Sequence, residues 1–89
     1  MNIKEKIIEI LARTIEDNNG GVLENGWIYQ KIGDEEFDSL TLVNFLVLLE
    51  EEFNIYIDEN SMGEIDFMNT YDDMVNGIVR IIEKRDKYV

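Results

Sequence analysis

Apolar residues recur along this chain at helical spacing in three separate stretches. In the first, Ile3, Ile7, Leu11 and Ile15 stand four residues apart with Ile8 and Ile10 beside them, which predicts an amphipathic helix with Asn2 as its N-cap. The run "EDNNGG" ends it, because Asn and Gly tolerate the left-handed backbone used at helix C-termini. The last stretch has Met74, Val75, Ile78, Ile81 and Ile82 at spacings of three and four and predicts a helix over 71–86. Thr70 is its natural cap, Asp72 and Asp73 complement the dipole in its first turn, and Lys84, Arg85 and Lys87 do so at its far end.

The middle stretch, "DSLTLVNFLVLLEEEF", is apolar on two sides. At about 100° per residue, Leu42, Phe45, Leu46, Leu49 and Phe53 share one face and predict core, while Leu40, Val43 and Val47 form a second stripe well away from it. A surface helix needs one apolar face only. The second stripe, which begins beside Ser39, faces a partner, a ligand or a neighbouring helix.

Two connections join these helices. The first, 17–37, holds four glycines yet keeps Val22, Leu23, Trp27, Ile28, Tyr29, Ile32 and Phe37, so it is expected to lie on the core. Within it Asn25-Gly26 sits between apolar triplets, a hairpin signal, and either a hairpin or a short helical turn is expected there. In the second connection Ile55-Tyr56-Ile57 reads as extended, and Ile65, Phe67 and Met68 as a brief third helix. There is no repeat, no low-complexity tract and no proline.

Composition narrows the chemistry. Eighty-nine residues, 45% of them apolar, make one domain over 1–89. The absence of cysteine and histidine removes thiol nucleophiles, disulfides, imidazole bases and the usual zinc sites. Twenty acidic against eight basic side chains give a formal charge of −12, which repels nucleic acid and anionic membranes and favours basic protein surfaces. The N-terminal stretch alternates charge with isoleucine and lacks the continuous apolar run of a signal peptide or membrane span, so a cytoplasmic chain without membrane insertion is expected.

Ser39 has two readings. Asp38 and Ser39 are both good N-cap residues, and so apolar a helix needs its first amides satisfied; with Thr41 and Leu42 where a capping box would place Glu or Gln, the cap is of the simple kind. Alternatively Ser39 is modified by another enzyme. Without histidine it is not a self-sufficient nucleophile, whereas the positive end of a helix dipole favours an attached phosphate.

On these residues the chain resembles the acyl carrier proteins, the group that includes peptidyl and D-alanyl carrier proteins. The family's order of Asp-Ser-Leu, a Val four residues after the Ser, Leu-Glu-Glu-x-Phe, Ile-x-Ile and a Thr ahead of a final amphipathic helix is met by Asp38, Ser39, Leu40, Val43, Leu49, Glu50, Glu51, Phe53, Ile55, Ile57 and Thr70. The resemblance spans roughly residues 3 to 83. It implies an all-α fold, a small monomeric four-helix bundle with a long first loop and a short third helix. It also implies that a phosphopantetheinyl transferase attaches 4′-phosphopantetheine from coenzyme A to Ser39, with Asp38 helping to engage that enzyme and its magnesium. The arm's thiol would carry acyl or aminoacyl groups as thioesters between loading and transferring enzymes, the chain itself not being an enzyme. Leu40, Val43 and Val47 would form the apolar part of the docking face and Glu50 and Glu51 its acidic part, met by Arg and Lys of partners. Substitution of Val47 or Glu50 is expected to weaken transfer without unfolding the domain. Thr41 and Asn44 replace acids usual in fatty-acid-synthase carriers, Asp58 replaces a common proline, "DEEF" replaces the commoner Leu-Gly, and "DENSMGEIDFMN" is longer than usual. These departures point to a specialised pathway in polyketide, nonribosomal peptide, lipid or cell-wall chemistry, with the chain acting in trans.

Two other readings compete. Residues 58–69 follow the EF-hand pattern at Asp58, Asn60, Gly63, Ile65 and Asp66, but Met62 and Asn69 occupy ligand places that require oxygen and a bidentate carboxylate. An acidic helical adaptor without a prosthetic group is the third.

Overall fold

The computed structural model describes residues 2–86, with side chains as far as Lys84. Four helices follow in order: α1 (Ile3–Asn19), α2 (Ser39–Phe53), α3 (Glu59–Met62) and α4 (Tyr71–Asp86), with a 3-10 turn at Trp27–Tyr29 inside the first connection. No strand occurs among the described residues, so the all-α expectation holds at the level of a small helical bundle with a short third helix.

Local chemistry sets the helix ends. Asn2 Oδ1 accepts the Glu5 amide at 2.8 Å, and α1 stops at Gly20, whose φ of 71° lets its N–H reach back to the Glu16 carbonyl. At the other end of the chain Thr70 and Asp73 cap α4 reciprocally. The Asp73 amide donates to Thr70 Oγ1 at 3.1 Å, and the Thr70 amide and hydroxyl donate to Asp73 Oδ2 at 3.3 and 3.0 Å. Lys84 pairs with Glu64 at 2.8 Å; the side chains of Arg85 and Lys87 lie outside the described residues.

The core sits where α1, α2 and α4 meet. Ile7, Leu11 and Ile15 from α1, Phe45 and Leu49 from α2, and Met74, Val75, Ile78, Ile81 and Ile82 from α4 are buried. Leu42, Leu46 and Phe53 pack against this core half-buried, so the predicted inner face of α2 is centred on Phe45 and Leu49. Gly77 is buried where the 64–66 segment crosses α4. A Cβ there would stand 3.1 Å from the Glu64 carbonyl oxygen and 3.2 Å from Ile65 Cα, which explains a glycine inside a helix.

Two expectations from the sequence need correction. Asn25-Gly26 does not open a hairpin: Gly26 has φ 82° and ψ 4° and the Trp27 amide bonds to the Glu24 carbonyl at 3.2 Å, a type II turn rather than a primed one, and it leads into the 3-10 turn. The short helical turn, the other expected outcome, is the one present. The third helix lies earlier than predicted. Asp58 Oδ1 accepts the Ser61 amide at 2.8 Å and nucleates α3 at 59–62. Ile65, Phe67 and Met68 follow it outside any helix, where Asp66 accepts the Met68 amide at 2.9 Å and the Asn69 side-chain amide at 2.7 Å.

The long first connection lies on the bundle through Leu23, Trp27, Ile28, Ile32 and Phe37, whereas Val22 and Tyr29, expected with them, are exposed. An antiparallel bridge joins Lys31 to Thr70, flanked by hydrogen bonds from the Ile32 amide to the Asn69 carbonyl (2.9 Å) and from the Tyr71 amide to the Gln30 carbonyl (3.2 Å). Trp27 and Phe37 both meet the Tyr71 ring edge-on, with centroids 5.5 and 5.9 Å away.

Candidate functional site

The junction of the first connection with α2 answers the question of the cap. Asp38, not Ser39, is the N-cap: its Oδ1 accepts both the Thr41 amide (2.9 Å) and the Thr41 hydroxyl (2.8 Å). Ser39 is the first helical residue and is exposed. Its hydroxyl has no hydrogen-bond role in the cap, so the structural duty that would have occupied it falls to its neighbour. Thr41, two residues on, is fully buried and gives its hydroxyl proton to Asp38. The capping-box pattern does not signal this pairing, because that pattern asks for Glu or Gln at that spacing.

These bonds from the Thr41 amide, and next from its hydroxyl, hold the Asp38 carboxyl below the usual aspartate range. With the folded value depressed, the native state binds fewer protons than the unfolded chain. The stabilisation is therefore present above the ordinary aspartate pKa and is lost as pH falls through the folded value. Asp38→Asn, which keeps a capping acceptor but not the charge, is expected to start from a somewhat lower denaturation midpoint at neutral pH and to lose stability less steeply than wild type on acidification. Urea titrations at a series of pH values read this directly; parallel acid limbs for the two proteins would contradict it.

From Ser39 the second stripe of α2 runs along the surface. Leu40, Val43 and Val47 are 64%, 54% and 45% exposed, and Leu48, which lies outside the predicted stripe, is 41% exposed. Among the described residues no helix covers this face. The two acids at its end differ in their surroundings. Glu51 is exposed, whereas Glu50 is half-buried and its Oε2 accepts the Ile57 amide at 2.9 Å, fixing the chain as it leaves α2 through Asn54 at φ 52°. Glu50 thus has a structural partner as well as a place beside the stripe, and Glu51 is the cleaner probe of surface charge. The sequence of α2 contains no Lys or Arg.

An open cleft of about 750 Å³ lies between the C-terminal part of α1 and residues 33–36, and it does not include Ser39. Among the described residues no group of three or more Asp or Glu side chains is placed to hold a metal ion, and no helix is long and apolar enough to cross a membrane. In the 58–69 segment the carboxylates of Asp58 and Asp66 serve local amides.

No protein-family model, no curated protein and no solved structure matches this chain.

Proposed function

We propose that this chain is a carrier protein on which Ser39 bears 4′-phosphopantetheine, transferred from coenzyme A by a separate transferase. The observation that carries the reading is the division of labour at the start of α2: Asp38 caps the helix, leaving the exposed Ser39 hydroxyl uncommitted at the positive end of the helix dipole, which suits a phosphodiester. The group, when attached, supplies a terminal thiol for acyl or aminoacyl thioesters, in a chain that has no cysteine of its own.

The chain's residues divide the remaining work. Asp38 stays ionised and is available to the transferase and its magnesium through the carboxylate edge that Thr41 does not occupy. Leu40, Val43 and Val47 offer partners an apolar strip, and Glu51, with Glu50 behind it, an acidic border that Arg and Lys of loading and transferring enzymes would meet. The chain is not itself an enzyme on this reading: it has no histidine, and the nearest carboxylate to Ser39 in sequence is bonded to Thr41, so activation of the hydroxyl comes from the transferase.

The test is the intact mass after incubation with coenzyme A and a transferase of broad specificity. One added phosphopantetheinyl group is expected. An unchanged mass under conditions that load a known carrier would sink the proposal. Micromolar calcium binding abolished by Asp58→Ala would instead favour a calcium protein, and neither result an adaptor without a prosthetic group.

A further inference from the structure

We infer that Tyr71, on the helix farthest in sequence from the attachment point, is a positioning residue for Ser39, acting through Glu36 and Phe37; the inference rests on the carrier reading. The Tyr71 side chain is 2% exposed. Its hydroxyl donates to Glu36 Oε1 at 2.9 Å and accepts the Gly33 amide at 3.3 Å, so a single buried oxygen spans both ends of the turn that precedes α2. That turn is closed on itself by the Phe37 amide bonding to the Gly33 carbonyl at 3.0 Å.

Each residue leading to Ser39 is tied to a different part of the bundle. The Glu36 carbonyl accepts the Asn19 side-chain amide at 3.1 Å, which holds it to the end of α1. The Phe37 ring stands edge-on between Phe45 of α2 and Tyr71 of α4, at 6.0 and 5.9 Å. Asp38 caps α2. Of these ties, the Glu36 carboxylate is the one that reaches α4 through a polar bond, and it does so by folding over Gly33. A methyl group on Gly33 would stand 2.6 Å from Glu36 Oε1 and 3.0 Å from its Cδ, although Gly33 has no left-handed backbone to require glycine. The absent side chain at position 33 makes room for the carboxylate. Burial, and then the Glu36 carboxylate, push the Tyr71 phenol up to about 12, so it remains a donor throughout the physiological range.

Ordering this segment in advance spares a transferase the cost of ordering it on binding, which appears as a lower KM rather than a higher kcat. Tyr71→Phe keeps the ring and its edge contacts and deletes only the hydroxyl. With a broad-specificity transferase and coenzyme A, it is expected to raise the KM for the carrier by up to about tenfold and leave kcat within about twofold: a hydrogen bond to a charged group shifts the ordering equilibrium by about that factor, and KM follows the fraction that stays ordered. Glu36→Ala and Gly33→Ala, which remove or displace the carboxylate, should share the defect, and Glu36→Gln, which still accepts the phenolic proton, should restore loading. The Tyr71→Phe, Glu36→Ala double variant should be no worse than Tyr71→Phe alone, which already loses both bonds of the hydroxyl.

Amide exchange supplies a readout that does not depend on loading: exchange at Phe37 should quicken about tenfold in Tyr71→Phe while helix-core amides stay protected. A merely structural loss of stability would move all slow amides together and spare KM. Wild-type constants in both Tyr71→Phe and Glu36→Ala would overturn the inference. Failure of the wild-type chain to load would overturn the carrier reading itself, and with it any role for Tyr71 in attachment.

Discussion

With Ser39 replaced by alanine, the protein is expected to keep its helical circular dichroism and thermal midpoint and to take up no phosphopantetheinyl group at all. The first half follows from the structure around the residue. Ser39 is exposed at the first position of α2, and the cap that α2 depends on is made by Asp38 with Thr41, so the substitution should shift stability by less than about 0.5 kcal/mol. The second half follows from the state of the other hydroxyls. Thr14 and Thr41 are buried and donate to the Ile10 carbonyl and to Asp38, and Thr70 is bound up with Asp73. Ser61 is the remaining serine, half-buried in the four-residue α3, and Ser61→Ala should load like wild type. Intact mass reports both variants. Loading that persists in Ser39→Ala, or that disappears in Ser61→Ala, would move the attachment site elsewhere.

The second large effect lies on the opposite face of the same helix. Phe45→Ala should cost about 3–5 kcal/mol, because a fully buried ring is replaced by a cavity that the surrounding helices cannot close. For 89 residues the total stability is about 4–13 kcal/mol, so this one change removes a large share of it. The loss should extend beyond α2: Phe45 supports Phe37, and Phe37 in turn meets Tyr71, so the approach to Ser39 loosens with the core. Val43→Ala, two residues away but on the exposed stripe, should change stability by about 0.5 kcal/mol or less. Urea midpoints for the two variants measure the contrast between the faces. Equal losses would mean that the stripe is packed after all.

That contrast is legible in the order of residues alone, because a helix writes its faces into the sequence at a fixed angular step. The stripe of Leu40, Val43 and Val47 separates cleanly from Phe45 and Leu49, and α1 and α4 are equally plain from their four-residue and three-residue spacings. Capping residues are legible for the same local reason, Asn2 and Thr70 among them. What stays hidden depends on backbone angles or on distance along the chain. Asn25-Gly26 is compatible with several turn types, and only the φ of each residue separates a hairpin from a type II turn. The place of α3 escapes a reading of apolar periodicity because the start of this four-residue helix is fixed by Asp58. The pairing of Tyr71 with Glu36 joins residues 35 positions apart and leaves no mark on any window of sequence. Glu50 looks like a surface acid from its neighbours, and its bond to Ile57 forms only because the chain turns back at Asn54.

The bridge between Lys31 and Thr70 also bears on the order in which the molecule assembles. Helices α1 and α2 can find each other early, but apart from the local bond of the Gln30 amide to the Trp27 carbonyl the strip at 30–32 takes its backbone partners from 69–71, so it stays loose until α4 docks. A chain lacking α4 would hold Ser39 on an unsettled mount, so on the carrier reading its loading would wait for α4 to dock.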